Sequence, residues 1–360
     1  MIALMQNYIS VNFDSIHPVK SLSNFIFVIL FLRAFISPAQ SLKQVPPIFR
    51  KAEPISLQVS FAFKEVEKSW NDTIYFPSYL KYKERSSVWD SLPVGIRARG
   101  NFRRRNCFFA PLRLKIKKPN AEGTPFEGNK SFKLVLPCQG GKSGNTLILK
   151  EYICYKLLEP VTPYFFHTRL TDITITDQKE KHSKSYSLTG FLIEDDDLIA
   201  HRLGGRVIEQ IIPSKQLNDT AAVVNDFFEF MIANTDYSTT GQHNAKVIQL
   251  TPSKYVPLSY DFDMAGLVNA PYATINETLN IKSVQERLYR GYCRNEPLME
   301  YVRSEYLRQE ADIINVLMDH QSLFGDGEFI RMKYFIEEFF TVLKSDRQFR
   351  DSILLSCRTE

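Results

Sequence analysis

The chain has 360 residues, 44% hydrophobic and 24% charged, a balance that fits a globular protein and excludes a disordered one. Its formal net charge of +5 is too small over this length to point by itself to nucleic acid. The 5 cysteines include no CxxC pair, which argues against a zinc site and leaves room for a disulfide with at least one thiol left over.

Residues 1–40 are set apart. Lys20 precedes the apolar run 25–32, Arg33 interrupts it, and Ser37 and Ala39 supply small residues at a cleavage position. This pattern predicts a secretory signal, and the run is short for a bilayer span. Export to the periplasm, the outer surface or the medium is therefore expected, with no membrane span after cleavage. Residues 41–56 are punctuated by proline and read as a linker.

Alternating apolar residues predict a strand over Leu57–Phe63, and 65–92 is mixed. Further strands are expected at 94–100, 111–117 and 131–136, then a helix at about 146–159 that Pro160 ends. Strands at 169–175 and 186–193 flank a polar loop, and a Phe-rich helix runs over about 218–232. Two strands, 246–250 and 255–260, read as a hairpin, and the remainder is helical, clearest at 301–320 and 328–344. This order predicts an α+β chain with a β-rich N-lobe (about 57–194), an α-rich C-lobe (about 195–360) and a cleft between them.

The chemistry concentrates between Asn234 and Asp263. Asp236 follows the Phe-rich helix, His243 and Asn244 precede the hairpin, and Asp261 and Asp263 follow it. Phosphoryl transfer of the protein-kinase type needs that order: an Asp to align the acceptor hydroxyl, an Asn for one metal, and an Asp after the next strand for the metal that bridges the phosphates. Asp236 also fits a surface Asp at a helix end, and Asn244 an Asn turn. His243 could donate to a phosphate or to Asp236. Asp261 and Asp263, two apart on a strand, would face one ion.

A phosphate site also needs a cation. Lys133 on a strand, held by Glu151 on the following helix, is the preferred pair, with Lys115 and Lys150 as competitors. Arg97, Arg99 and the run Arg103–Arg105 form a basic cluster around Gly100 that could meet phosphate or be a solvated turn. Too few aromatic residues accompany it for a nucleic-acid stacking platform, so no nucleic-acid partner is expected. Glu194 ends a strand near the point where the lobes would meet. The chain has no G-x-S-x-G, H-E-x-x-H or Walker A motif.

Seven segments in order resemble the CotH-type kinases, spore-coat or secreted proteins with an atypical protein-kinase-like fold. They are Arg97-Ala-Arg-Gly-Asn, Ala110-Pro-Leu-Arg-Leu-Lys-Ile, Phe126-Glu-Gly-Asn-Lys-Ser-Phe-Lys-Leu, Leu149-Lys-Glu-Tyr-Ile-Cys-Tyr-Lys-Leu, Gly190-Phe-Leu-Ile-Glu, Asn234-Thr-Asp and Tyr260-Asp-Phe-Asp. The resemblance covers about residues 94–264 and lacks the family's doubled lysines near Cys107. It implies a two-lobed kinase-like fold, ATP with Mg2+ or Mn2+, and phosphorylation of a protein acceptor outside the cytosol. By position it makes Asp236 catalytic and Asp261 a metal ligand. ATP would lie between the lobes, with Glu194 near the adenine, Lys133 on the phosphates, and Asn244 and Asp261 on the metal. Two other outcomes stay open: a non-catalytic surface or envelope binding protein, and a metal-dependent phosphoesterase using Asp236, His243, Asp261 and Asp263.

Overall fold

The computed structural model describes residues 45–71, 73–84, 88–178 and 183–359. The secretory signal expected at 1–40 lies outside them.

Seven strands close into a barrel: β1 (Ile55–Phe61), β2 (Phe76–Lys83), β3 (Asp90–Ala98), β4 (Leu112–Lys115), β5 (Ser131–Val135), β6 (Thr168–Asp177) and β7 (Lys184–Ile193). Their order around the barrel is β1-β2-β3-β4-β5-β7-β6. Neighbours run antiparallel except at the seam, where Ile55–Phe61 of β1 pairs parallel with Thr171–Asp177 of β6. Side chains alternate in and out along each strand. Leu57, Val59, Leu80, Val94, Ile96, Leu114, Phe132, Leu134 and Ile175 fill one core. The segment expected to be a linker is packed from Val45 onward: Ile48 and Phe49 are buried in that core.

The barrel corrects the expected fold. The two-lobed kinase-like arrangement of a β-rich and an α-rich lobe is replaced by a closed seven-stranded mixed barrel with ten α-helices among the described residues. The cause is the β1–β6 seam, which joins segments more than a hundred residues apart and leaves the strands without an open edge.

Four short helices decorate the barrel and its exit: α1 (Phe63–Lys68), α2 (Phe102–Asn106), α3 (Lys118–Ala121) and, after a longer helix, α5 (Asp196–Arg202). That longer helix, α4 (Lys142–Leu158), packs on the outside of β7. Its first turn needs glycine at 144, where a Cβ would lie 1.8 Å from the carbonyl oxygen of Gln139. Val135, Phe191 and Ile193 point outward beneath α4 and join a second core. That core continues through α6 (Asp219–Met231), α7 (Glu296–Arg308), α8 (Glu310–Asp319) and α9 (Asp326–Lys344), with α10 (Asp346–Phe349) at the end. The single helix expected over 301–320 is thus two, broken at Gln309.

A three-stranded sheet, β10-β9-β8, forms from β8 (Arg206–Ile208), β9 (Ala245–Thr251) and β10 (Lys254–Ser259). β9 and β10 are the expected hairpin. Pro257 is tolerated because β10 is an edge strand. Two disulfides, Cys107–Cys138 and Cys293–Cys357, leave Cys154 as a buried thiol. Among the described residues no helix is long and apolar enough to cross a membrane.

Candidate functional site

The Asp236 loop begins where α6 ends. Ala233 takes a left-handed φ of 51°, and Asn234 folds back to donate its N–H to the Glu229 carbonyl at 2.8 Å. The Asn234 side chain then works in two directions. Its Nδ2 donates to Glu229 Oε2 at 2.8 Å, and its Oδ1 accepts the Asp236 N–H at 3.0 Å. The position of Asp236 is therefore set by the Glu229 carboxyl group buried in α6.

Both Asp236 oxygens are engaged. His243 Nε2 lies 3.0 Å from Oδ1, and Asn244 Nδ2 donates to Oδ2 at 3.0 Å and to the main-chain oxygen at 2.7 Å. Asn244 spends its NH2 on Asp236, which leaves its amide oxygen as the group it can offer to a ligand. Asn244 and Gln242 both adopt left-handed φ, near 49° and 51°, and this turns the loop back on itself. Asp236 remains 41% exposed and His243 62% exposed, so the dyad is open to a substrate.

Asp261 and Asp263 reach the site by a different route from the one expected. β10 ends at Ser259 and Asp261 takes a φ of 65°, so strand alternation does not place the two carboxylates side by side. The Tyr155 hydroxyl of α4 accepts the Asp261 N–H at 2.9 Å and holds this turn. Asp263 is buried and receives the Tyr272 hydroxyl.

The expected Lys133–Glu151 pair does not form. Lys133 is ion-paired with Asp196 at the start of α5, and the rings of Phe166 and Tyr260 each lie 4.8 Å from its ammonium. Burial pulls the Lys133 pKa down and Asp196 opposes it. Glu151 instead meets Arg103, whose Nη1 is 3.3 Å away, while Arg103 Nη2 binds the Leu136 carbonyl. Burial disfavours the Arg103 charge, but Glu151 and Asp263 overcome it and hold the guanidinium protonated. The sequence offered Arg103 only as one of three adjacent arginines; among them it alone is buried.

One cation does not satisfy this cluster. Arg103 Nε is 3.8 Å from Asp263 Oδ2, beyond hydrogen-bond reach, and both atoms are buried without a hydrogen-bond partner, as is Glu151 Oε1. Burial pushes the carboxyls of Glu151 and Asp263 upward, Arg103 pulls both down, and Asp261 raises both again. Asp236 also raises Asp263.

The other predicted residues lie as follows. Arg99 acts electrostatically on Lys133 and Glu151 and so belongs to the same neighbourhood. Arg97 lies on the outer face of β3, in one row with Arg113 and Lys133, and its Nε donates to the Tyr75 hydroxyl at 3.2 Å. Glu194 is fully buried, and its carboxylate accepts the His167 N–H and is ion-paired with Arg202 at 3.0 Å, so its side chain is already engaged within the fold.

Among the described residues no three Asp, Glu, His or Cys side chains converge closely enough to hold a metal by themselves. The donor set still fits Mg2+, which is commonly held by one or two carboxylates and completed by water and substrate phosphates. The unpartnered oxygens of Glu151 and Asp263 are what such an ion would compensate.

No family model matches the chain, and no curated protein matches it. The resemblance to the CotH-type kinases therefore rests on the seven segments themselves.

Proposed function

We propose that the chain is a phosphotransferase that moves the γ-phosphoryl group of ATP to a protein hydroxyl with Mg2+ or Mn2+, and that it works outside the cytosol. The observation that carries the reading is the excess of carboxylate at Glu151, Asp261 and Asp263 over Arg103, with buried oxygens lacking a partner, beside an exposed and oriented Asp236. Asp236 accepts the proton of the acceptor hydroxyl, or aligns it, through the lone pairs that His243 and Asn244 leave open. His243 and Asn244 fix the carboxylate plane. The Asn244 amide oxygen, Asp261 and Asp263 would hold the metal, which supplies charge neutralisation at the phosphates. Arg99, in the same neighbourhood, is the cation for phosphate oxygens that are distant from the metal. The two disulfides support an oxidising compartment.

One observation favours a second reading, a non-catalytic binding protein: Lys133 and Glu151 are each already paired, with Asp196 and Arg103. Melting temperature separates the two, because a ligand that binds the native state raises it. ATP with Mg2+ or Mn2+ should raise the midpoint of the wild type. Asp261→Ala should abolish that rise; its side chain makes no hydrogen bond among the described residues, so the ligand-free midpoint should fall only by the cost of an alanine at this left-handed φ, about 1 kcal/mol. The wild type should also transfer radiolabelled phosphate to a protein acceptor. A metal-dependent rise that survives in Asp261→Ala would remove the metal assignment. No rise at millimolar ATP would leave the binding reading.

A further inference from the structure

On the outer face of the barrel, lined by none of the residues of the Asp236 loop or the Arg103–Glu151 cluster, lies a groove of about 1100 Å3. Its floor is the outward face of β6, β1, β2 and β3. Pairing sets the side chains in rows: Thr174 beside Gln58, Gln58 beside Lys81, and Gly95 beside Lys115. Each inward neighbour of these residues is core, so the rows are fixed by the barrel.

The chemistry of the groove is uneven. Lys81, Lys115 and Lys117 line it and make no ion pair among the described residues, and no carboxylate of a described residue lines it. Tyr79 is 66% exposed. Tyr75 lies flat against β3 because position 95 is glycine, where a Cβ would come within 2.9 Å of the Tyr75 Cβ. The Lys115 ammonium sits 5.3 Å from the Tyr75 ring. Between the tyrosines and the lysines the wall is hydroxyl and amide, with Gln58, Ser60 and Thr174 in the floor.

We infer that this groove binds a carboxylated polysaccharide. Lysines without an ion pair among the described residues match the carboxylates. The exposed Tyr79 ring takes the apolar face of a sugar ring, and the short hydroxyl and amide side chains exchange hydrogen bonds with sugar hydroxyls. A peptide adding as a β-strand is excluded because the closed barrel has no free edge here. A bilayer would demand apolar side chains where the floor has hydroxyls.

The test uses the full chain in affinity electrophoresis through gels containing polygalacturonate, alginate or hyaluronate. Neutral dextran, poly-L-glutamate and anionic vesicles serve as contrasts. At least one carboxylated polysaccharide should retard the protein, less so as salt rises, and dextran should not. Tyr79→Ala and the pair Lys81→Gln with Lys115→Gln, all at exposed positions, should each weaken retention at least tenfold. Asp261→Ala should leave it unchanged, which keeps this outcome separate from the phosphotransfer reading. Retention by none of the three polymers overturns the inference. So does equal capture by poly-L-glutamate or vesicles that is indifferent to Tyr79→Ala, because charge alone would then suffice.

Discussion

Glu229 lies wholly buried in α6, its Oε1 hydrogen-bonded to the Ser259 hydroxyl and its Oε2 accepting from Asn234. Burial raises its pKa to about 8, and the two hydrogen bonds only partly offset this. The folded state therefore keeps a proton that the unfolded chain releases near the ordinary value of 4.5. Stability that is complete below that value is lost as pH rises towards 8. Asp226, raised by burial to about 7, adds to the same slope. Glu229→Gln preserves the network: its amide oxygen can take the Asn234 donor, and its NH2 can donate to Ser259 Oγ, which already donates to Asn225. The variant should gain on the wild type by about 2 kcal/mol or more between pH 5 and pH 8. Urea midpoints at the two pH values measure this, and parallel behaviour of the two proteins would show that Glu229 is ionised in the fold. Arg103 shows how much a sequence hides at this scale. Three arginines in a row are chemically identical; only the packing of α2 against Leu136 and Glu151 selects the first of them for burial.

Helix α4 does more than cover the barrel. Glu151 and Tyr155, one turn apart, face the same loop, and the Tyr155 hydroxyl receives the N–H of Asp261. Tyr155→Phe removes that acceptor and leaves an N–H with no partner inside the fold, at a cost of about 1–3 kcal/mol. The left-handed turn at Asp261 should loosen with it. A reduced metal-dependent rise in melting temperature with ATP is expected, beyond the fall in the ligand-free midpoint. A fall in that midpoint alone would show that α4 supports the fold without positioning Asp261. The elements themselves were largely legible. The alternation at Leu57–Phe61 and Leu112–Ile116 marked β1 and β4, and the Phe-rich period marked α6. β2 escaped because its outward positions, Tyr79 and Lys81, read as neither core nor turn. Barrel closure escaped because alternation is the same in an open sheet and in a closed one, and the β1–β6 register is a long-range pairing that no local pattern records. In the site, Asp236, His243 and Asn244 were legible from their spacing around one turn. The partners of Lys133, Glu151 and Glu194 come from α5 and α2, and local sequence does not determine them.

At the scale of the molecule, one disulfide lies beside the barrel strands and the other at the C-terminal end of the helical part, and each bridge pins backbone that leads to the candidate site. Cys107 follows α2, which bears Arg103, and Cys138 lies two residues past the Leu136 carbonyl that Arg103 binds. Cys293 and Cys357 tie the C-terminal segment to 291–293, where the Cys293 N–H meets the Arg358 carbonyl and the Arg358 N–H meets Gly291. Arg290, at the base of that segment, donates to the carbonyls of Thr235 and Tyr237 on either side of Asp236. Sequence separations of 31 and 64 residues give chain-entropy contributions of about 4 kcal/mol for each bridge. Because the bridges close separate loops, 107–138 and 293–357, that share no residue, their losses should add. The pair Cys107→Ser with Cys138→Ser, and the pair Cys293→Ser with Cys357→Ser, should each lose about that amount in guanidinium unfolding. Carrying all four substitutions, the chain should be close to unfolded at 25 °C, since about 8 kcal/mol approaches the whole stability of many domains. Dithiothreitol should reproduce the fourfold variant in the wild type and leave that variant unaffected. A fourfold variant as stable as either pair would mean that one bridge restrains both cores, and that the Arg103 and Asp236 halves of the site are held by a single staple.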